Sequence, residues 1–163
     1  MTPPRFRVTA QLRQLRFDAG ARSLDLVATV GRRPTAHIER LDGVPRLTEW
    51  ASGVGLPLLP GEATETLLED VFHLREAIFV VVTAAMADER VPTGAATTLT
   101  GCAATGTAPT LPLTADGRLS PGPSPRTGRE LLAEIARDAV DLVADPARRA
   151  RLRLCDSPLC RML

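Results

Sequence analysis

Apolar residues recur at alternating steps of four and three across residues 65–88: Leu67, Val71, Leu74, Ile78, Val81 and Ala85. Leu68, Phe72, Phe79, Val82 and Met86 make an adjoining stripe. The spacing predicts one long helix with a wide apolar face, the central packing element of the chain. Thr64 is placed to cap it, and Glu65 lies in its first turn. A second helix opens at the capping-box pattern Thr127-Gly128-Arg129-Glu130. Leu132, Ile135, Ala136, Ala139, Val140 and Val143 line its predicted buried face. Asp145-Pro146 then restarts a short helix, with Asp145 as N-cap and Pro146 at the first position.

The remaining patterns are shorter. Phe6, Val8, Ala10 and Leu12 alternate with polar residues, which predicts a strand over 5–12. Asp18-Ala19-Gly20 reads as a turn. Ser23 to Gly31 reads as a short helix capped by Ser23, although its β-branched residues also suit a strand. Residues 32–42 read as a polar connection, and Pro45 to Gly53 as a helix presenting Leu47 and Trp50. A weak helix over 95–104 carries Cys102. Leu111 to Leu119 reads as a small hairpin turning at Asp116-Gly117.

Composition adds two points. All 20 basic side chains are Arg, with no Lys, and aromatics are scarce, so the core must be mostly Leu, Val and Ala. Net charge is only +1, yet five Arg against Asp156 crowd residues 146–163. That end is a local basic patch of the kind phosphates attract, with Arg148, Arg149, Arg151 and Arg153 as candidate DNA phosphate contacts. Residues 62–89 are the reverse, with seven acids against Arg75. The apolar run from Ala77 to Ala87 is too short to span a bilayer, and no signal-peptide pattern opens the chain. A cytoplasmic location with no membrane association is the expectation, and so are free or metal-bound thiols, a Cys155–Cys160 disulfide being the alternative.

Catalysis finds little support. Glu69, His73 and Glu76 share a helix face but read as a solvated charged face. No nucleophile set, phosphate-cradling glycine loop or dinucleotide fingerprint occurs, so an enzyme is not expected. Arg75 falls inside an apolar stripe and must be paired or reach solvent. Asp25 is its candidate partner. The alternative is that Arg75 and Asp25 border a site for a small anionic ligand. Cys155 and Cys160, spaced C-x4-C around Asp156-Ser157-Pro158, have the spacing of half a tetrahedral zinc site.

Several stretches together resemble one family. They are Phe17 to Gly20, Ser23 to Gly31, Glu39-Arg40-Leu41, Leu74 to Ile78, Ile135 to Ala139 and Arg151 to Cys155. In this order they resemble the ABATE-domain, CGNR zinc-finger family of stress-induced transcription regulators. The resemblance implies a ligand-binding helical bundle with a few strands, followed by a treble-clef zinc finger that binds DNA. Cys155 and Cys160 match the first zinc-ligand pair. The second pair and the Cys-Gly-Asn-Arg motif have no counterpart here.

The expected fold is α+β and mostly α: a helical bundle with a small sheet or hairpin, ending in a partial treble-clef zinc knuckle. Residues 1–151 form the bundle domain, and 152–163 the first half of a zinc finger whose remainder is absent. The expected function is a transcription regulator with a sensing or assembly domain and an incomplete DNA-binding finger. The alternative is a stand-alone cytosolic protein-interaction module without DNA binding. The knuckle is expected to be empty, the alternative being a homodimer in which two knuckles share one zinc.

Overall fold

The long helix is α3, Glu65–Ala87, in a computed structural model that describes residues 9–35, 37–157, 160, 162 and 163. Thr64 caps it by accepting the Leu67 N–H at 3.1 Å, and Asp88 ends it in the left-handed region at φ 54°. Leu74 and Ile78 are buried, as the apolar period requires. Helices α4 (Thr93–Ala104) and α5 (Gly128–Ala144) pack on α3 and on each other. The capping box of α5 makes both of its bonds: Glu130 N–H to the Thr127 hydroxyl, and Thr127 N–H to the Glu130 carboxylate. Its buried stripe includes Leu131, Ala133 and Leu142, while Leu132, Val140 and Val143 are only half-buried. The stripe is shifted because α1 (Arg22–Val27), α3 and α4 all press on this helix.

The N-terminal half departs further from its local patterns. Residues 5–8 of the predicted strand lie outside the described residues, and Ala10–Arg13 form a 3-10 turn rather than a strand. The Leu12 carbonyl accepts from the Arg40 side chain at 3.0 Å instead of from a neighbouring strand. Helix α1 is Arg22–Val27, with Ala21 and not Ser23 at its N-cap. Ser23 sits inside the first turn, where its N–H and hydroxyl both donate to Asp138 of α5, at 2.8 and 2.6 Å. The cap therefore comes from a helix distant in sequence. The residues after α1 split into β1 (Val30–Gly31) and β2 (Ile38–Glu39), paired antiparallel with Val30 opposite Glu39. The polar connection of residues 32–42 thus contains a strand and the buried Arg40 and Leu41.

Helix α2, Val44–Gly53, sends Leu47 and Trp50 into the core at 0% exposure. A hairpin pairs Leu113 with Leu119 and turns through Gly117 at φ 79°. Asp145 caps α6, Pro146–Arg149, which leads into the C-terminal segment. The architecture is mostly helical with one two-stranded antiparallel ribbon.

Candidate functional site

Arg75 is 4% exposed and projects from α3 toward the ribbon. Each of its three nitrogens donates. Nη1 and Nη2 grip Glu39 of β2 at 2.9 and 2.8 Å, a two-point guanidinium–carboxylate pair. Nη1 also reaches the Thr29 hydroxyl at 3.0 Å, and Nε reaches Glu76 at 3.2 Å. Arg33 extends the chain of charges by gripping Glu76 at 2.6 and 3.1 Å. Phe72 lies 4.6 Å from the Arg75 guanidinium, and Phe79 lies 4.1 Å from that of Arg33. Burial pushes the Glu76 carboxyl up, but the Arg33 hydrogen bond and the charges of Arg33 and Arg75 outweigh it and hold it below its ordinary value.

The carboxylate on Arg75 is therefore Glu39, not Asp25. Asp25 accepts the Ala19 N–H at 3.0 Å at the start of α1. Burial pushes its carboxyl above the usual value against the Ala19 bond, with Asp18 and Asp138 adding to the rise. Arg75 and Asp25 stand in different places with different partners. No local pattern pointed to Glu39, since a two-residue strand has no period to read.

A groove of about 970 Å³ runs between α3, α4 and the start of α5. Leu67, Leu74 and Leu132 form its apolar floor, and Asp70, His73, Thr97, Thr98 and Arg129 stand around it. Asp70, His73 and Arg129 make no side-chain hydrogen bond or ion pair with the other described residues. Burial pushes the Cys102 thiol up, and Asp70 adds to it, which does not favour a nucleophilic thiolate there. The arrangement suits binding: an apolar body on the floor, and polar groups on an unengaged rim.

The C-terminal segment holds the remaining candidates. The Cys155 N–H donates to the Met162 carbonyl at 2.7 Å and the Cys160 N–H to the Ser157 carbonyl at 3.0 Å. Both thiols are free, Cys155 exposed and Cys160 half-buried. Pro158, Leu159 and Arg161 lie outside the described residues. A structural zinc takes four protein ligands. Among the described residues no three or more His, Cys, Asp or Glu side chains converge on a metal position. Arg149 and Arg153 each donate to main-chain carbonyls, of Val143 and of Ala150 and Leu152, which suits cations at helix ends. The Arg148 and Arg151 side chains make no bond with the other described residues.

The family model ABATE, described as "Putative stress-induced transcription regulator", matches residues 20–146, well over half of the chain. No curated protein and no solved structure matches.

Proposed function

The chain belongs to the ABATE family, and on that premise we propose that it is the sensing and assembly part of a transcription regulator. In this reading the groove between α3, α4 and α5 takes the effector. The basic C-terminal segment faces DNA phosphates in the cytoplasm. The observation that carries the reading is the groove itself: Asp70, His73 and Arg129 stand unengaged around a floor of Leu67, Leu74 and Leu132. On the ribbon side of the same helix, Arg75 and Glu76 are paired with Glu39 and Arg33.

Methyl NMR on the full chain tests it, with benzylamine, benzoate and phenol as probes. At least one should shift the Leu67, Leu74 and Leu132 methyls saturably. Gly101 borders the groove and has open space around it, so Gly101→Phe should fold normally and abolish the shifts. If none of the three probes moves these methyls at millimolar concentration, the groove is not an effector site.

A second reading rests on Leu111, Leu113 and Leu119, which are 74%, 53% and 67% exposed on the hairpin. A projecting apolar hairpin suits docking to another protein and favours the interaction-module alternative. Leu113→Ser with Leu119→Ser should then abolish recovery of that partner without changing thermal stability.

A further inference from the structure

Arg40 is as buried as Arg75, at 5% exposure, but its surroundings differ. It follows Glu39 on the ribbon, and its guanidinium lies so close to Gly31 that a Cβ there would come within 2.8 Å of it. Nε donates to the Leu12 carbonyl at 3.0 Å and Nη1 to the Ala28 carbonyl at 2.7 Å. Those are neutral acceptors. None of the ion pairs among the described residues includes Arg40. Glu39 is its sequence neighbour, but both Glu39 oxygens are held by Arg75. A buried full charge without a counter-charge is costly, whereas neutral groups at such a place are not. Burial first and the nearby Arg16 second disfavour the charged guanidinium, and together they outweigh the opposing influence of Cys160 and Glu39.

Arg40 also lines a cavity of about 440 Å³ at the N-terminal turn, together with Arg16, Gln11, Gln14 and the Asp18 carboxylate. Arg16 is only loosely paired with Asp18, at 3.9 Å, and both are well exposed. The side-chain amides of Gln11 and Gln14 make no hydrogen bond with the other described residues. We infer that this cavity binds an oxyanion, held by the Arg40 guanidinium and closed over by Arg16 and the two glutamine amides. Carboxylates and tetrahedral oxoanions share the chemistry that recognises it: anionic oxygens accepting from guanidinium and amide N–H groups. At about 440 Å³ the cavity has room for an oxyanion carried on a larger molecule, with Leu12, Leu15 and Phe17 as its apolar lining. The site shares no residue with the α3–α4–α5 groove, so it stands or falls separately. Two rival groups lie within electrostatic reach of Arg40, the Cys160 side chain and the Glu39 carboxylate.

The test titrates the full chain with sodium phosphate and with sodium acetate, against sodium chloride at matched ionic strength. The Arg40 Nε–H resonance and the melting temperature are followed together. A saturable shift of that resonance with phosphate, acetate or both, accompanied by a rise in melting temperature that chloride does not reproduce, supports the site. Phosphate alone would identify a tetrahedral oxoanion, and acetate alone a carboxylate. Arg40→Gln should remove the response. Because that variant also loses two internal hydrogen bonds, Gln14→Glu provides an independent arm. A carboxylate delivered by the chain should raise the melting temperature in chloride and weaken the response to added anion at least tenfold. Cys160→Ser should leave the response intact. Equal effects of chloride, or a response that appears only in Cys160→Ser, would overturn the proposal.

Discussion

The two sides of α3 treat charge in opposite ways. Toward the ribbon, Arg75 and Glu76 lie in a closed chain with Glu39 and Arg33, in which each charge has an opposite charge within hydrogen-bond reach. Toward α4 and α5, Asp70 and His73 look across an apolar floor with no such partner. The first side is built as structure and the second is left open for something else. An arginine in an apolar stripe is thus no sign of a ligand in itself. What separates the cases is whether a carboxylate of the same chain has already claimed it.

The largest expected effect breaks the closed side. Arg75→Ala leaves Glu39 and Glu76 without their shared cation and should cost about 3–5 kcal/mol in denaturant unfolding. Asp70→Ala, on the open side, should stay within about 0.5 kcal/mol. Ile78→Ala, between the two sides and fully buried, should cost about 2–5 kcal/mol by leaving a cavity. Equal losses at Arg75 and Asp70 would dissolve the contrast, and a loss below about 0.5 kcal/mol at Ile78 would mean that its face is not core.

What could be read in the sequence follows the same division. The boundaries of α3 and the capping box of α5 were legible because they depend on residues three or four apart. The partner of Arg75 was not, since Glu39 comes from a two-residue strand inside what looks like a polar connection. The Ser23 cap failed as a local reading because Asp138, 115 residues away, does the capping. The groove was hidden for a different reason: its α4 wall is Thr-, Gly- and Ala-rich and shows no strong amphipathic pattern. Arg40 entered only through the Glu39-Arg40-Leu41 stretch of the resemblance, and its burial was not legible, because its guanidinium packs against Gly31, a contact that no local period shows.

A smaller effect sharpens the place of Asp25. Its folded carboxyl binds a proton more readily than the unfolded one, so it favours the native state at low pH. That advantage is lost as pH rises through the raised value. Asp25→Asn keeps an oxygen for the Ala19 N–H and removes the buried charge. It should raise the melting temperature at pH 7, and the gap from wild type should close as pH falls below the ordinary carboxylate range. A variant less stable than wild type at pH 7 would show that the ionised form is needed.

DNA binding should be weaker still in its discrimination. Arg148 and Arg151 have side chains unengaged by the other described residues, while Arg149 and Arg153 are partly committed to carbonyls. Contacts of this kind reach phosphates and read no bases. Fluorescence anisotropy with two unrelated duplexes should give similar affinities that fall steeply with salt. Arg148→Ala and Arg151→Ala should each lower the salt slope by about 1. Nanomolar, sequence-selective binding by this chain would contradict that picture.

The smallest expected signal is zinc. Cys155 and Cys160 flank a turn closed by the Cys160 N–H on Ser157 and by the Cys155 N–H on Met162. Two thiolates can begin a tetrahedral site, but a structural zinc needs four ligands, and no further ligand group converges with them among the described residues. A second copy of the chain could supply the other pair, giving a homodimer with one four-cysteine site and two basic segments side by side. That arrangement requires a symmetric contact, and the closed loop on each chain must still leave both sulfurs facing outward. We therefore expect negligible zinc in the purified protein. About half a zinc per chain, lost together with the dimer in Cys155→Ser, would establish the shared site. About one zinc per chain would mean that the chain completes its own tetrahedron, and the reading of these cysteines as half a site would be wrong.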